Sequence, residues 1–285
     1  MATQPPGAEV LPIKGDRDAP GQTRIRDIED RLAQMSLSDQ PPNGRFDADL
    51  ETALRRFQWY LANRPWRLRV AAGGMPETGT IEAYVAPVIG ITGAYDQATA
   101  RELRNWSEAG MRPTTPLVRL DLSRLPHCER APTYTQLTYP GGAANEVLVN
   151  DGFVAGMEAL DHAAGQARVR VRINQTFRIQ GVPPRGAVVP PATRSQHLIG
   201  RAVDGNFIDG TIVTTSAMMN ANRQSPAVTA FIDAAKRAGL RWGGDFQRRD
   251  TIHFDAPVAA DSEDYRMHFF FAQRCYRDQH PMRAA

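Results

Sequence analysis

Apolar side chains recur along this chain with a helical period in its first part and a mixture of periods later. Ile25, Ile28, Leu32 and Met35 stand three, four and three residues apart, which predicts a helix with one buried stripe. Pro41, Pro42, Asn43 and Gly44 break it. Behind Asp47, a side chain suited to cap a helix, Leu50, Ala53, Leu54, Phe57 and Leu61 follow the i, i+3, i+4, i+7, i+11 pattern. Glu51, Arg55 and Arg56 fall on the opposite face, so this is the clearest amphipathic helix of the first part. Prolines and glycines crowd 64–93, where loop is expected with short extended pieces near 67–71 and 84–89. Thr99, Leu103 and Trp106 then share the face of a third helix, which Gly110 ends.

The stretch 111–118 reads as a linker, and a different texture follows it. Residues 118–122 and 133–139 alternate as strands do, 152–164 carries Val154, Met157 and Ala164 on a helical face, and 169–173 alternates strictly, as a half-buried strand would. Ser225 as cap and Pro226 at the first helical position open a helix whose Val228, Phe231, Ile232, Ala235 and Ala238 face one way before Gly239. Short strands are expected at 240–242 and 251–254, and a last helix at 261–276 with Tyr265, Phe269, Ala272 and Tyr276 on one face. Strands and helices mixed without regular alternation predict an α+β fold, with a small central antiparallel sheet and flanking helices. The expected organisation is a flexible tail over 1–21, a small mainly helical domain over 22–112, a linker over 113–120 and the α+β domain over 121–285.

Composition narrows the class. With 285 residues, 42% apolar and 23% charged, the chain falls in the ordinary globular range, which excludes a mainly disordered, collagen-like or coiled-coil protein. Apolar runs such as 83–91 are far shorter than the roughly 20 residues that span a bilayer, so membrane insertion is not expected. The first 20 residues hold four prolines and no apolar core behind basic residues, unlike a secretory signal, so synthesis in the cytoplasm and release by another route are expected. Cys128 and Cys275 are too few for a disulfide framework and are read as free thiols. A net charge of +3 selects no partner by itself.

Residues 43–58 (Asn-Gly-Arg-Phe-Asp-Ala-Asp-Leu-Glu-Thr-Ala-Leu-Arg-Arg-Phe-Gln) resemble the signature of the small helical peptidoglycan-binding module, and 92–99 give a fainter echo. The signature consists of a turn, an aromatic anchor at Phe46 and a helix that turns Leu54 and Phe57 to a core. Asn43 and Ala48 depart from it, standing where an Asp and a second Gly are usual. The resemblance implies a wall-binding module in which Phe46 and Phe57 are the marker residues.

The chemistry-bearing residues lie later. His197 in Ser195-Gln196-His197-Leu198-Ile199-Gly200-Arg201-Ala202-Val203-Asp204 has an acid seven positions on, and His253 lies in Asp250-Thr251-Ile252-His253-Phe254-Asp255. Two imidazoles and one carboxylate suit a catalytic zinc, because three protein ligands leave a fourth position for water. His127 beside Cys128 has no second pair at ligand spacing and reads as structural, and His162 and His268, on predicted helices among apolar residues, read as core or boundary histidines. No phosphate-binding loop, dinucleotide fingerprint or GxSxG motif occurs, so nucleotide binding and serine hydrolysis have no support, and no nucleic-acid partner is expected.

Ser195-x-His197-x-x-Gly200-x-Ala202-x-Asp204, Trp242-Gly243-Gly244-Asp245-Phe246 and Asp250-x-x-His253-Phe254 are similar to the paired motifs of the zinc peptidases that cleave peptidoglycan stems. That superfamily includes D-alanyl-D-alanine carboxypeptidases, dipeptidases and the L-alanyl-D-glutamate endopeptidases of phage endolysins. The resemblance is good over 150–257. It implies a zinc peptidase domain with Zn2+ held by His197, Asp204 and His253, Asp250 as general base, and Arg178 polarising the scissile carbonyl, although 175–179 keeps only the aromatic and the Arg of the family pattern. Ser195 and Trp242 would support the ligands or the substrate. Aspartate at the base position is similar to the endopeptidase branch, so the implied protein is a monomeric, endolysin-like hydrolase of bacterial peptidoglycan that cuts between L-Ala and D-Glu. A D-Ala-D-Ala carboxypeptidase or dipeptidase, a secreted wall-degrading effector and a non-catalytic wall-binding protein are the alternatives.

Overall fold

Helices capped by their own side chains and joined by turns build the first part of the chain, and a twisted mixed sheet builds the second. In the computed structural model the described residues are 11–18, 24–64, 66–69, 80–83, 85, 88–134, 145–182, 193–274 and 282–283. The expectations for 1–10, 19–21, 70–71, 84, 86–87 and 135–139, and for Cys275 and Tyr276, lie outside them. The chain divides into two compact units, Met1–Thr114 and Thr115–Ala285.

The first unit runs α1 (Ile25–Gln34), α2 (Ala48–Asn63), β1 (Trp66–Arg69), β2 (Thr80–Ala83), α3 (Gln97–Glu108) and β3 (Met111–Pro113), with β1 paired antiparallel to both β2 and β3. Asp47 caps α2 by accepting from the Asp49 and Leu50 amides, and Asp96 caps α3 by accepting from Thr99, which satisfies amides that a helix start leaves unpaired. The apolar stripes meet as their spacing requires: Leu32, Leu54, Phe57 and Trp106 are fully buried, and Trp106 meets Phe57 and Tyr60 edge-on at 5.6 and 5.8 Å between ring centroids. Gln58, also buried, accepts from the Thr92 and Gly93 amides and donates to the Ala94 carbonyl and Thr99 Oγ1, so it fastens the approach to α3 onto α2.

The second unit runs β4 (Leu117–Asp121), β5 (Cys128–Arg130), β6 (Glu146–Asn150), α4 (Val154–Ala167), β7 (Arg170–Gln175), β8 (Ala202–Asp209), β9 (Ile212–Thr214), α5 (Ser216–Asn220), α6 (Pro226–Arg237), β10 (Arg241–Trp242), β11 (His253–Asp255), α7 (Glu263–Gln273) and β12 (Met282–Arg283). Its main sheet has the order β10-β11-β8-β7-β5, with β9 on β8; β5 and β7 are parallel and the other pairs antiparallel. A smaller sheet has the order β12-β4-β6. The architecture is mixed α+β. Within the stretch expected as a linker, the unit boundary falls between β3 and β4, and both strands are hydrogen-bonded into sheets.

Helices α4 and α6 pack on each other, and α6 packs on β8 and β10. Ser225 caps α6 by accepting from Val228, and Pro226 opens it. Phe207 of β8, Phe231 of α6 and Phe254 of β11 pack with centroids 5.0 to 6.0 Å apart. Fully burying each ring stabilises by about 1.5–3 kcal/mol, so this cluster clamps α6 to the strands that carry the site. Cys128 is buried and free, and burial pushes its thiol far above the ordinary range, so it is an inert core residue. His162, expected among core or boundary histidines, is exposed on α4 and pairs with Gln166 one turn on, while His268 is half-buried. Among the described residues, no helix is long and apolar enough to cross a membrane.

Candidate metal centre

The sheet register brings the two motif blocks together. On antiparallel strands β8 and β11, Asp204 lies directly opposite His253. His197 comes from a short 3-10 turn, Gln196–Ile199, just before β8. Ser195 opens that turn, its Oγ accepting from the His197 amide at 3.3 Å, and Gly200 closes it with a φ of 72°. A side chain at Gly200 would strain that left-handed backbone, and a Cβ there would stand 2.8 Å from the Asn150 amide nitrogen.

His197 Nε2, His253 Nδ1 and Asp204 Oδ1 form a nearly equilateral triangle, with sides of 3.1, 3.1 and 3.0 Å. Each imidazole has its other nitrogen engaged. His197 Nδ1–H donates to the Thr176 carbonyl at 2.6 Å, and His253 Nε2–H donates to Asp255 Oδ2 at 3.0 Å. Both rings therefore turn their second nitrogen and Asp204 a carboxylate oxygen toward one point, the donor set that zinc takes once it displaces the second proton of His253. The triangle is within a few tenths of an ångström of the roughly 3.3 Å between ligand atoms that tetrahedral bonds of about 2.0–2.1 Å require. The residues fit the ion that the motif resemblance implies.

The electrostatics follow from burial and from these contacts. Burial opposes the charge on Asp204, but His197 and His253 outweigh it and hold the carboxyl well below the usual range. Burial likewise opposes the charge on His253, yet hydrogen bonds to Asp204 and Asp255 push it up to about 10. Asp250 shifts the other way: burial raises it first, the negative Asp204 adds to that, and the two histidines oppose. A carboxyl pushed upward beside a metal-type trio is a group suited to exchange a proton.

Arg178 is buried, with its guanidinium within hydrogen-bond reach of Gln175 Oε1 at 3.4 Å; burial lowers its pKa, and the charge of Asp204 opposes that. Ser195 organises the turn, and its carbonyl also accepts from the Tyr265 hydroxyl at 2.9 Å. Trp242 donates from Nε1 to the Thr251 carbonyl at 2.9 Å and packs on the core, so it braces the loop that carries Asp250. Phe46 and Phe57 are buried in the first unit, where they build its core and present nothing to a polymer. Sequence reasoning missed Asp255 as the partner of His253 and the Thr176 carbonyl as the partner of His197. The first was visible as an acid two positions along the same strand; the second, a backbone atom, left no signal.

One comparison with known proteins covers the segment that carries this site. Residues 190–256 match the family model described as D-alanyl-D-alanine carboxypeptidase. No curated protein matches the chain. Among solved structures, the L-Ala D-Glu endopeptidase ChiX of Serratia marcescens aligns at 21% identity over 38% of this chain and 80% of its own, with a TM-score of 0.27. The family match spans His197, Asp204, Asp250 and His253. The segment that carries the site is thus similar to the D-alanyl-D-alanine carboxypeptidase family over residues 190–256.

Proposed function

We propose that the second unit is a zinc peptidase that hydrolyses peptidoglycan stem peptides, at the L-Ala–D-Glu bond, with His197, Asp204 and His253 as ligands. The observation that carries this reading is the 3.0–3.1 Å triangle of two imidazole nitrogens and one carboxylate oxygen, beside a half-buried carboxyl with a raised pKa. Zinc held there supplies an acidified water and a Lewis acid for the amide carbonyl. Asp250 takes the proton as the attack proceeds and returns it to the departing amine; its upward shift brings it nearer the poise that both steps need. Arg178 lies within electrostatic reach of Asp204 and offers its guanidinium to the oxygen on which charge develops. Thr176 and Asp255 hold the imidazoles so that the reacting nitrogens do not rotate away.

Aspartate rather than glutamate at position 250 supports the endopeptidase branch. The first unit, by its resemblance over 43–58, is proposed to hold the enzyme on the wall. The test is digestion of purified Gram-negative sacculi by the zinc-loaded chain, with a chelated control and mass spectrometry of the muropeptides. Stems cut between L-Ala and D-Glu are expected. Loss of a terminal D-Ala alone would move the protein to the carboxypeptidase branch named by the family model, and no metal-dependent product would sink the peptidase reading.

A further inference from the structure

Asp255 is almost fully buried and Arg241 half exposed, and neither is accounted for by the three ligands or the base. Their placement follows from strand parity. His253 and Asp255 are two residues apart on β11 and leave the same face of the sheet. On one side of β11, β8 sets Asp204 opposite His253; on the other, β10 sets Arg241 opposite Asp255. A row thus crosses three strands: Arg241 donates from Nε and one terminal nitrogen to the two oxygens of Asp255, at 2.8 and 2.7 Å, and Asp255 accepts from His253 Nε2 at 3.0 Å. The same guanidinium lies 4.7 Å from the centre of the Phe246 ring, which stands 5.7 Å from the His253 ring. Arg241 therefore touches both supports of one imidazole.

We propose that Arg241, acting through Asp255 and Phe246, is a positioning residue that fixes the ring orientation and tautomer of His253 for the metal. The inference rests on the zinc reading given above. A carboxylate with 1% side-chain exposure can turn about its last bond unless both oxygens are engaged, and a planar fork engages both. Once Asp255 is fixed, the proton of His253 stays on Nε2 and the lone pair on Nδ1. Arg201 also acts on Asp255 electrostatically, but its Nε–H goes to the Ala256 carbonyl at 2.8 Å, so it does not replace the fork. A lysine would keep the charge and lose the second bond.

The experiment uses the full chain and compares the parent with Arg241→Ala and Arg241→Lys. Zinc affinity is read by competition with a chromogenic chelator, and the ligand field by the visible absorption of the cobalt-substituted protein. Arg241→Ala is expected to bind zinc about 10- to 100-fold more weakly with an altered cobalt spectrum, and Arg241→Lys to fall between it and the parent. Arg170→Ala, which removes an ion pair with Glu129 at the far side of the same sheet, should match the parent. Arg241→Ala with zinc affinity within twofold of the parent and the same cobalt spectrum would overturn the inference alone. A parent that takes up no zinc would overturn the zinc reading and this inference with it. If Arg241→Ala does not fold, Arg241→Lys carries the comparison, and a lysine variant equal to the parent in both readouts overturns the role of the fork.

Discussion

Replacing Gly243 by alanine should damage the proposed base and one proposed ligand together, without touching either side chain's identity. Gly243 follows Trp242 at the end of β10, and its carbonyl accepts from the Asp250 amide at 2.9 Å, which closes the loop 243–250. A Cβ at this position would lie 2.2 Å from the Asp250 carbonyl oxygen and 2.9 Å from His253 Cβ, where ordinary contact begins at 3.4 Å. Asp250 must then retreat by roughly 1 Å, since the obstructing atom is backbone and has no rotamer to change. The Asp250 carbonyl also accepts from the His253 amide at 3.1 Å, so the displacement is passed on to the histidine. A misplacement of about 1 Å at a reacting group can cost on the order of 100-fold, equivalent to about 2.7 kcal/mol in the barrier. The assay is kcat/KM on a soluble muropeptide at saturating zinc, with zinc affinity and circular dichroism recorded on the same sample. Gly90→Ala, whose Cβ would meet among the described residues only Thr92 Cγ2 at 3.4 Å, is the matched control and should behave as the parent. A Gly243→Ala protein with kcat/KM within threefold of the parent and unchanged zinc affinity would refute the reasoning, because the loop would then absorb the clash without moving the site.

Other outcomes follow from the same geometry. Asp250→Asn should keep stoichiometric zinc and lose about 100- to 10,000-fold in turnover; full activity would send the base role elsewhere, though not readily to Asp255, whose two oxygens are held by Arg241 and His253. Zinc must displace the proton that keeps His253 charged up to a pH of about 10, so affinity measured by chelator competition should climb as pH rises from about 6.5 toward 9, and a flat profile would contradict it. The sign for the metal-free fold is opposite: a raised histidine stabilises fully below its unfolded value of about 6.5, and that contribution is lost as pH rises through about 10, which thermal melts with chelator present would show. A chain starting at Thr115 should fold and cleave but bind sacculi more weakly than the full chain; equal pull-down of the two would remove the wall-binding role of the first unit.

The legible parts of the fold carry their instructions locally. α2, α3, α6 and α7 each begin behind an acid or serine that accepts from the first-turn amides, Asp47, Asp96, Ser225 and Ser262, and each has an apolar stripe at helical spacing. β7 was visible because one face is buried and its side chains alternate. β6 had no such signal: all five of its residues are buried, among them Glu146 and Asn150. Its polar ends are answered in part by residues distant in sequence, Arg119 for Glu146 and the Ile199 carbonyl for Asn150. β8 hides Gly205 at its centre, where a Cβ would press on Val171 of β7, so what looks like a strand breaker is a close approach of neighbouring strands. Pro113 and Pro116 made 113–120 read as a linker, yet Pro113 occupies the end of a short edge strand, where a missing amide costs nothing.

The site divides along the same line. A motif can name His197, Asp204 and His253, but their convergence is a property of register. His253 opposes Asp204 because β11 pairs with β8 at one offset, and a bulge between Ile173 and Gln175 in β7 lets Gln175 face Asp204 just before Thr176 turns its carbonyl to His197. A slip of β11 by one residue would send His253 and Asp255 to the opposite face and Phe254 out of its aromatic cluster. The Phe207, Phe231 and Phe254 cluster therefore does two things at once: it buries apolar area, and by penalising the slipped register it keeps two imidazoles and a carboxylate at a common point. A register-sensitive site of this kind should tolerate volume-conserving changes in that cluster and fail with changes that invert the polarity of position 254. Phe254→Leu should thus keep most of the parent's zinc affinity at some cost in stability, whereas Phe254→Asp should lose metal binding together with the cooperative melt.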